Sequence, residues 1–99
     1  MTDQPDPNAD PLVRQLREQI SDNDCEIVAA INARLKLVAQ LKRYKKERGY
    51  SFLDPAREQW MLQYLTRANR GPLSAKGLEE LYGEILDLTK REVARTSGD

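Results

Sequence analysis

The 99 residues suffice for one domain with a modest core, and 16 basic residues balance 16 acidic ones, so no net charge attracts nucleic acid or an anionic membrane. With no histidine and one cysteine, Cys25, the chain lacks an internal disulfide and the usual zinc-ligand and nucleophile–base sets, so we expect no metal and no cofactor. No apolar run approaches the roughly 20 residues of a membrane span, and the acidic N-terminus is unlike a signal peptide, which predicts a cytoplasmic protein without a membrane partner.

The first predicted element is a very long helix. Residues 1–10 are polar, with three Asp and two Pro, and are expected to form a disordered tail. Asp10 and Pro11 are a helix start signal, because the Asp side chain accepts from unpaired amides and Pro has no amide hydrogen to lose. No Gly or Pro follows until Gly49, which gives about 38 residues and about 57 Å of helix. A compact chain of this size has a radius of gyration of only about 13 Å, so we expect a second subunit to cover this helix.

Two shorter helices follow. A second Asp-Pro pair, at Asp54, opens a helix that ends near Asn69, and Ser74 caps a third. No segment has the alternating pattern of a strand. The sequence therefore predicts an all-α fold, with one long and two shorter helices, in a single domain over residues 11–95 that is followed by a frayed end over 96–99.

The long helix carries charged residues on a face that its apolar residues predict to be buried. Alternating steps of four and three define this face, here called the ionic seam: Val13, Arg17, Ile20, Asp24, Ile27, Ile31, Arg34, Val38, Leu41 and Lys45. Because burying an ion costs several kcal/mol, Arg34 and Lys45 are interpreted as ligands for an anion, and Asp24 as a structural residue. The alternative is that these side chains are solvated, since a shifted apolar stripe leaves Arg34 at its edge.

A second charged cluster is the D-P-A-R-E run at residues 54–58. A role as a helix cap is enough to explain Asp54. Arg57 and Glu58 lie in the first turn, and Glu58 shares a face with Met61 and Leu65, which predicts that it points inward. A planar Arg fork pairs bidentately with a carboxylate, so these cations in a helical cleft indicate a small dicarboxylate ligand.

Together these residues resemble the all-α, bacterial-type chorismate mutase family. The resemblance covers about residues 12–93 and lies in motifs that have the family's order and spacing: L-R-x-x-I from Leu16, then Asp24, Arg34 and Lys45, D-x-x-R-E from Asp54, and N-x-G-P-L from Asn69. It implies an intertwined helical homodimer with two active sites, each completed by the first helix of the other subunit. It also implies the rearrangement of chorismate to prephenate in phenylalanine and tyrosine biosynthesis, a unimolecular reaction that needs no nucleophile, metal or cofactor.

The resemblance implies a role for each charged residue. Arg17, reaching in from the partner subunit, and Arg34 would bind substrate carboxylates, and Arg57 would bind the ring carboxylate or support the site nearby. Lys45 would donate to the ether oxygen of the substrate. Glu58 would accept from its C4 hydroxyl.

Three more positions follow from the same resemblance, and one departs from it. Asp54 would orient Lys45 or the loop, and Thr89 would replace a Ser that touches a carboxylate. One turn later the family has Gln or Glu, a second donor to the ether oxygen, whereas this chain has Val93. Either Lys45 acts alone, or a shifted third helix brings Glu92 into that role.

The mutase is the leading hypothesis among several. Isochorismate pyruvate lyase and 4-amino-4-deoxychorismate mutase are rivals on the same fold, and the D-x-x-R-E run favours the plain mutase. A non-catalytic, prephenate-binding regulatory or docking module is the rival from another class, because Val93 cannot donate a hydrogen bond. The expected partners are chorismate and prephenate, a second copy of the chain and, as a further hypothesis, another enzyme of the shikimate pathway.

Overall fold

The computed structural model describes residues 5–97, and helices are the regular secondary structure of this part of the chain. Helix α1 spans Pro11–Arg48, α2 spans Pro55–Ala68 and α3 spans Ala75–Ser97, and a short 3₁₀ turn at Pro7–Ala9 precedes α1. None of the described residues lies in a strand. The predicted all-α class is therefore confirmed, and each α-helix begins at the residue after its predicted cap.

The two predicted irregular ends lie partly outside the described residues. Within the expected tail over residues 1–10, the described part begins at residue 5, and Asp6 caps the 3₁₀ turn by accepting from the backbone N–H of Asn8 at 2.9 Å. At the other end α3 reaches Ser97, so it extends two residues beyond the predicted limit at Arg95.

Local hydrogen bonds set the start of α1. The Asp10 carboxylate accepts from the backbone N–H of Leu12 at 2.9 Å and of Val13 at 3.4 Å. These are amide groups that the first turn of any helix leaves without a backbone partner. Asp10 therefore starts the helix as the sequence predicts.

A Schellman motif ends α1. The Gly49 N–H donates to the Lys46 carbonyl at 3.2 Å, and the Tyr50 N–H donates to the Lys45 carbonyl at 2.8 Å. Gly49 has a φ of 73°, a left-handed conformation that a residue with a Cβ adopts only under strain. The chain therefore turns back directly after the last turn of α1, which contains Lys45.

The N-x-G-P-L motif forms the turn between α2 and α3. Asn69 accepts from the backbone N–H of Gly71 at 3.0 Å and donates to the carbonyl of Leu73 at 2.8 Å, so one side chain spans the turn. Ser74 then accepts from the Gly77 N–H at 2.9 Å and caps α3. This short connection brings α3 back against α2, and the two helices pack on each other.

The described residues form two compact units, one up to Arg34 and the other from Leu35 onward. The first contains the 3₁₀ turn and the first part of α1, and it buries none of its described residues. An isolated helix cannot cover its own apolar face. Large apolar side chains of this unit are accordingly 48–61% exposed, namely Leu12, Leu16, Ile20, Ile27 and Val28.

The second unit has a small core centred on α3. Tyr82, Thr89 and Val93 are buried there, and Val93 is only 2% exposed. The unit also leaves many large apolar side chains exposed, namely Leu37, Leu41, Tyr44, Tyr50, Leu53, Trp60, Tyr64, Leu73 and Leu81. Among the described helices, none has an apolar stretch that could cross a membrane.

Candidate functional site

Lys45 is a half-buried cation at the end of α1. Its Nζ donates to the backbone carbonyl of Phe52 at 3.3 Å, across the loop that follows the helix. The Schellman turn at Gly49 makes this contact possible, because it returns the chain toward the last turn of α1. An ammonium has three N–H donors, so one bond to Phe52 orients Lys45 and leaves donors for a ligand.

Phe52, which the sequence did not mark as a site residue, organises a second lysine as well. The Lys42 ammonium lies 5.6 Å from the centre of the Phe52 ring, within the range of a cation–π interaction. Phe52 is itself half-buried. The loop between α1 and α2 therefore holds Lys42 through an aromatic ring and Lys45 through a carbonyl.

Asp54 and Arg57 are joined as a helix cap. The Asp54 carboxylate accepts from the backbone N–H of Arg57 at 3.1 Å, so it starts α2 as predicted. The Arg57 guanidinium is exposed and lies 4.3 Å from the centre of the Trp60 ring. Trp60 in turn stacks on Tyr64, with ring centres 5.4 Å apart and planes 14° from parallel. Arg57 is thus supported by an aromatic pair on the same face of α2.

Glu58 connects α2 to α3. Its Oε1 lies 3.4 Å from Nζ of Lys90, and both side chains are partly exposed, by 31% and 45% respectively. Glu58 also lies in the first turn of α2, where the helix dipole favours a negative charge. The sequence predicted that Glu58 points inward, but it gave no signal that Lys90 would be its partner.

Thr89, directly before Lys90, is buried and hydrogen-bonded to its own helix. Its hydroxyl donates to the carbonyl of Ile85 at 2.6 Å. Because a hydroxyl has a single proton, donation to a substrate carboxylate would require rotation away from Ile85.

Val93 and Glu92 lie in different surroundings one turn later. Val93 is a core residue without a side-chain donor. The Glu92 carboxylate accepts from Nε of Arg95 at 2.8 Å, and this hydrogen bond together with the negative charge of Glu92 raises the pKa of Arg95. Glu92 is therefore held as an acceptor along the surface of α3.

The other charged residues of the ionic seam lie in the first unit. Arg17 is exposed, and its guanidinium donates to the side-chain carbonyl of Asn8 in the 3₁₀ turn. Asp24 is exposed and Arg34 is half-buried, both within α1. The roles that the sequence predicts for these three residues remain predictions.

A cleft of about 520 Å³ lies within the second unit, on a face of α1 next to the one that carries Lys45. It is strongly basic and includes Val93 but neither Lys45, Arg57 nor Glu58; its lining residues are Leu35, Lys36, Ala39, Lys42, Arg43, Lys46, Val93 and Thr96. Within the described part of the chain, no group of three or more Cys, Asp or Glu side chains is arranged to hold a metal ion.

Comparison with known proteins decides the family. The family model described as chorismate mutase type II matches residues 16–93. The chain belongs to the chorismate mutase type II family. The matched range includes all the predicted site residues, from Arg17 to Val93, and confirms the resemblance drawn from the sequence motifs.

Solved structures of the same family agree with this assignment. The chain is 32% identical to chorismate mutase (form I) from Thermus thermophilus, with a TM-score of 0.76 over 78% of this chain and 96% of that chain. Form II from the same organism is 31% identical, with a TM-score of 0.79 over 84% of this chain and 94% of that chain. The search of curated proteins found no match. The chain therefore belongs to an enzyme family of the isomerase class.

Proposed function

We propose that this chain rearranges chorismate to prephenate by holding the substrate in a compact conformer and stabilising the charge that develops on its ether oxygen. The observation that carries this mechanism is Lys45, a half-buried ammonium whose Nζ is held 3.3 Å from the Phe52 carbonyl. The reaction is unimolecular, so it requires positioning and electrostatic stabilisation and no nucleophile. A cytoplasmic location and a further partner from the same pathway remain predictions from the sequence.

In this mechanism the cations divide the work. Arg34, with Arg17 from a second subunit, binds substrate carboxylates through paired N–H donors, which favours the folded conformer. Arg57 binds or supports the ring carboxylate, and Glu58 accepts from the C4 hydroxyl. Lys45 donates to the ether oxygen, and it accelerates the reaction only as far as it binds the transition state more tightly than the ground state.

Lys45 acts as the only side-chain donor to the ether oxygen. Val93, at the position of the usual second donor, is apolar and buried. Glu92 could replace that donor only as a protonated acid, and in the structure its carboxylate instead accepts from Nε of Arg95 at 2.8 Å. These contacts support the version of the mechanism in which Lys45 works alone.

The active enzyme in this proposal is an intertwined homodimer. The exposed apolar residues of the first unit support this dimer, because transfer of side chains such as Leu12, Ile20 and Ile27 from water into an interface is favourable.

The distribution of charge along α1 also supports the dimer. Residues 11–33 contain four acidic and two basic side chains, whereas residues 35–48 contain six basic and one acidic. Antiparallel pairing with a second copy sets the acidic part of one helix against the basic part of the other.

A weakly catalytic, prephenate-binding module is the second candidate, and the burial of Val93 is the observation that favours it. Turnover distinguishes the two. Purified protein should abolish the ultraviolet absorbance of chorismate, and prephenate should then be identified as the product. Pyruvate and salicylate formed from isochorismate would indicate a lyase. Absence of turnover at any pH would support the binding module in place of the mutase.

The mechanism predicts that Lys45→Met almost abolishes turnover while the melting temperature holds or rises. The lost bond to Phe52 is offset because a methionine side chain is buried at much lower cost than an ammonium. Lys46→Met, at the adjacent exposed residue of α1, is the matched control and should retain activity. Substantial turnover by Lys45→Met, or a variant that fails to fold, would contradict this role.

A further inference from the structure

The ion pair between Glu58 and Lys90 gives the predicted substrate site a feature that its motifs do not contain. Lys90 Nζ lies 3.4 Å from Glu58 Oε1. Glu58 is fixed in the first turn of α2, and Lys90 follows the buried Thr89 on α3. The packing of α2 on α3 therefore holds a cation beside the carboxylate that would meet the C4 substituent of the substrate.

We propose that Lys90 is a specificity-determining residue that makes this site select a hydroxyl over an amine at C4 of the substrate ring. The inference rests on the proposed function, in which Glu58 accepts a hydrogen bond from that C4 group. Lys90 acts through its charge beside Glu58 and touches none of the reacting atoms, so it is not a member of the reacting set.

The selection follows from the charges at this contact. An ionised carboxylate only accepts hydrogen bonds, and both a hydroxyl and an ammonium can donate to it. An unpaired Glu58 would favour the ammonium, because its positive charge adds Coulomb attraction to the hydrogen bond and a neutral hydroxyl does not. An aliphatic amine is protonated at neutral pH, so beside Lys90 it would bring a second cation to a carboxylate that is already neutralised. Repulsion between like charges then disfavours the amine, whereas a hydroxyl carries no such penalty.

Solvent exposure limits the size of the effect. The Lys90 side chain is 45% exposed, so water and salt screen its charge. We therefore expect a change in substrate preference and not loss of activity.

The test compares chorismate with 4-amino-4-deoxychorismate as substrates of the full chain. In Lys90→Met we expect kcat/KM for chorismate to fall by about threefold or less, and kcat/KM for the amine to rise by about two- to fivefold. Lys90→Arg keeps the positive charge and should keep the preference of the unmodified chain. Lys76→Met removes an exposed lysine from the first turn of the same helix and should leave both values unchanged.

The outcomes separate this inference from the proposed function. Rapid turnover of chorismate, with the same preference in Lys90→Met as in the unmodified chain, would overturn the role of Lys90 alone. Equal loss on both substrates in Lys90→Met would also overturn it, because a structural role does not distinguish a hydroxyl from an amine. No turnover of chorismate by the unmodified chain would overturn the proposed function together with the inference.

Discussion

Arg57 illustrates how an exposed charged residue can still be held in place. Its guanidinium lies 4.3 Å from the centre of the Trp60 ring, and Trp60 stacks on Tyr64. The three residues are spaced by three and four along α2, so they form a row on one face of the helix. An arginine with four rotatable bonds loses less entropy on binding a carboxylate if such a row already restricts it.

This row gives a prediction for Trp60→Leu. A cation–π contact at an exposed site is worth about 0.5–1 kcal/mol, so loss of Trp60 should raise KM for chorismate by about two- to fivefold with little change in kcat. Tyr64→Leu is the matched control, because it removes a neighbouring ring and leaves Arg57 in contact with Trp60. Steady-state kinetics of both variants provide the measurement, and equal effects would show that the aromatic pair does not act through Arg57.

At the scale of the element, α3 contains two glycines in contrasting surroundings, Gly77 in its first turn and Gly83 in its interior. A Cβ at Gly77 would lie 2.9 Å from Leu73 Cδ1 and 3.1 Å from the capping Ser74 Oγ, whereas a Cβ at Gly83 would meet nothing within 4 Å. Glycine in a helix is less favourable than alanine by about 1 kcal/mol, for reasons of backbone entropy. Gly77 is therefore explained by the close approach of the turn, and Gly83 has no such explanation.

The pair predicts opposite responses to the same substitution. Gly83→Ala should raise the melting temperature by about 4–8 °C, since about 1 kcal/mol has that effect on a domain of this size. Gly77→Ala should leave the melting temperature no higher than that of the unmodified chain, because its methyl group disturbs the Ser74 cap. Thermal unfolding followed by circular dichroism measures both, and a similar increase in both variants would contradict the steric account of Gly77.

At the scale of the whole molecule, the first unit buries none of its described residues and carries exposed apolar side chains along α1. The proposed homodimer removes these side chains from water, so its stability should depend on protein concentration. Ile20 is 59% exposed and lies on the ionic seam.

Ile20→Gln should therefore weaken the dimer. Burial of an Ile is worth about 1.5–3 kcal/mol, and the substitution occurs twice in a symmetric dimer. Ser21→Gln introduces the same side chain at an exposed position about 100° around the helix, leaves the charge unchanged and serves as the control. Sedimentation velocity should show dissociation of the Ile20 variant alone, together with loss of turnover, since Arg17 would no longer reach a second site. An unmodified chain that sediments as a monomer and is still active would sink the dimer proposal.

The sequence by itself determined the three helices and where each of them begins, because these depend on local chemistry. Asp10, Asp54 and Ser74 accept hydrogen bonds from amides two or three residues away, and Gly49 ends α1 through its own backbone conformation. The charged motifs were equally readable, since their order and spacing need no knowledge of packing. They identified the family that the comparisons confirmed.

Only the tertiary structure decided which partners these charges take. Glu58 meets Lys90 because α2 packs on α3, and Lys45 meets the Phe52 carbonyl because the chain turns back after Gly49. Val93 is a core residue for the same reason, since its burial depends on what packs against α3. No periodicity within one helix contains that information. Contacts between elements depend on how their faces fit together, and a spacing rule describes only one face at a time.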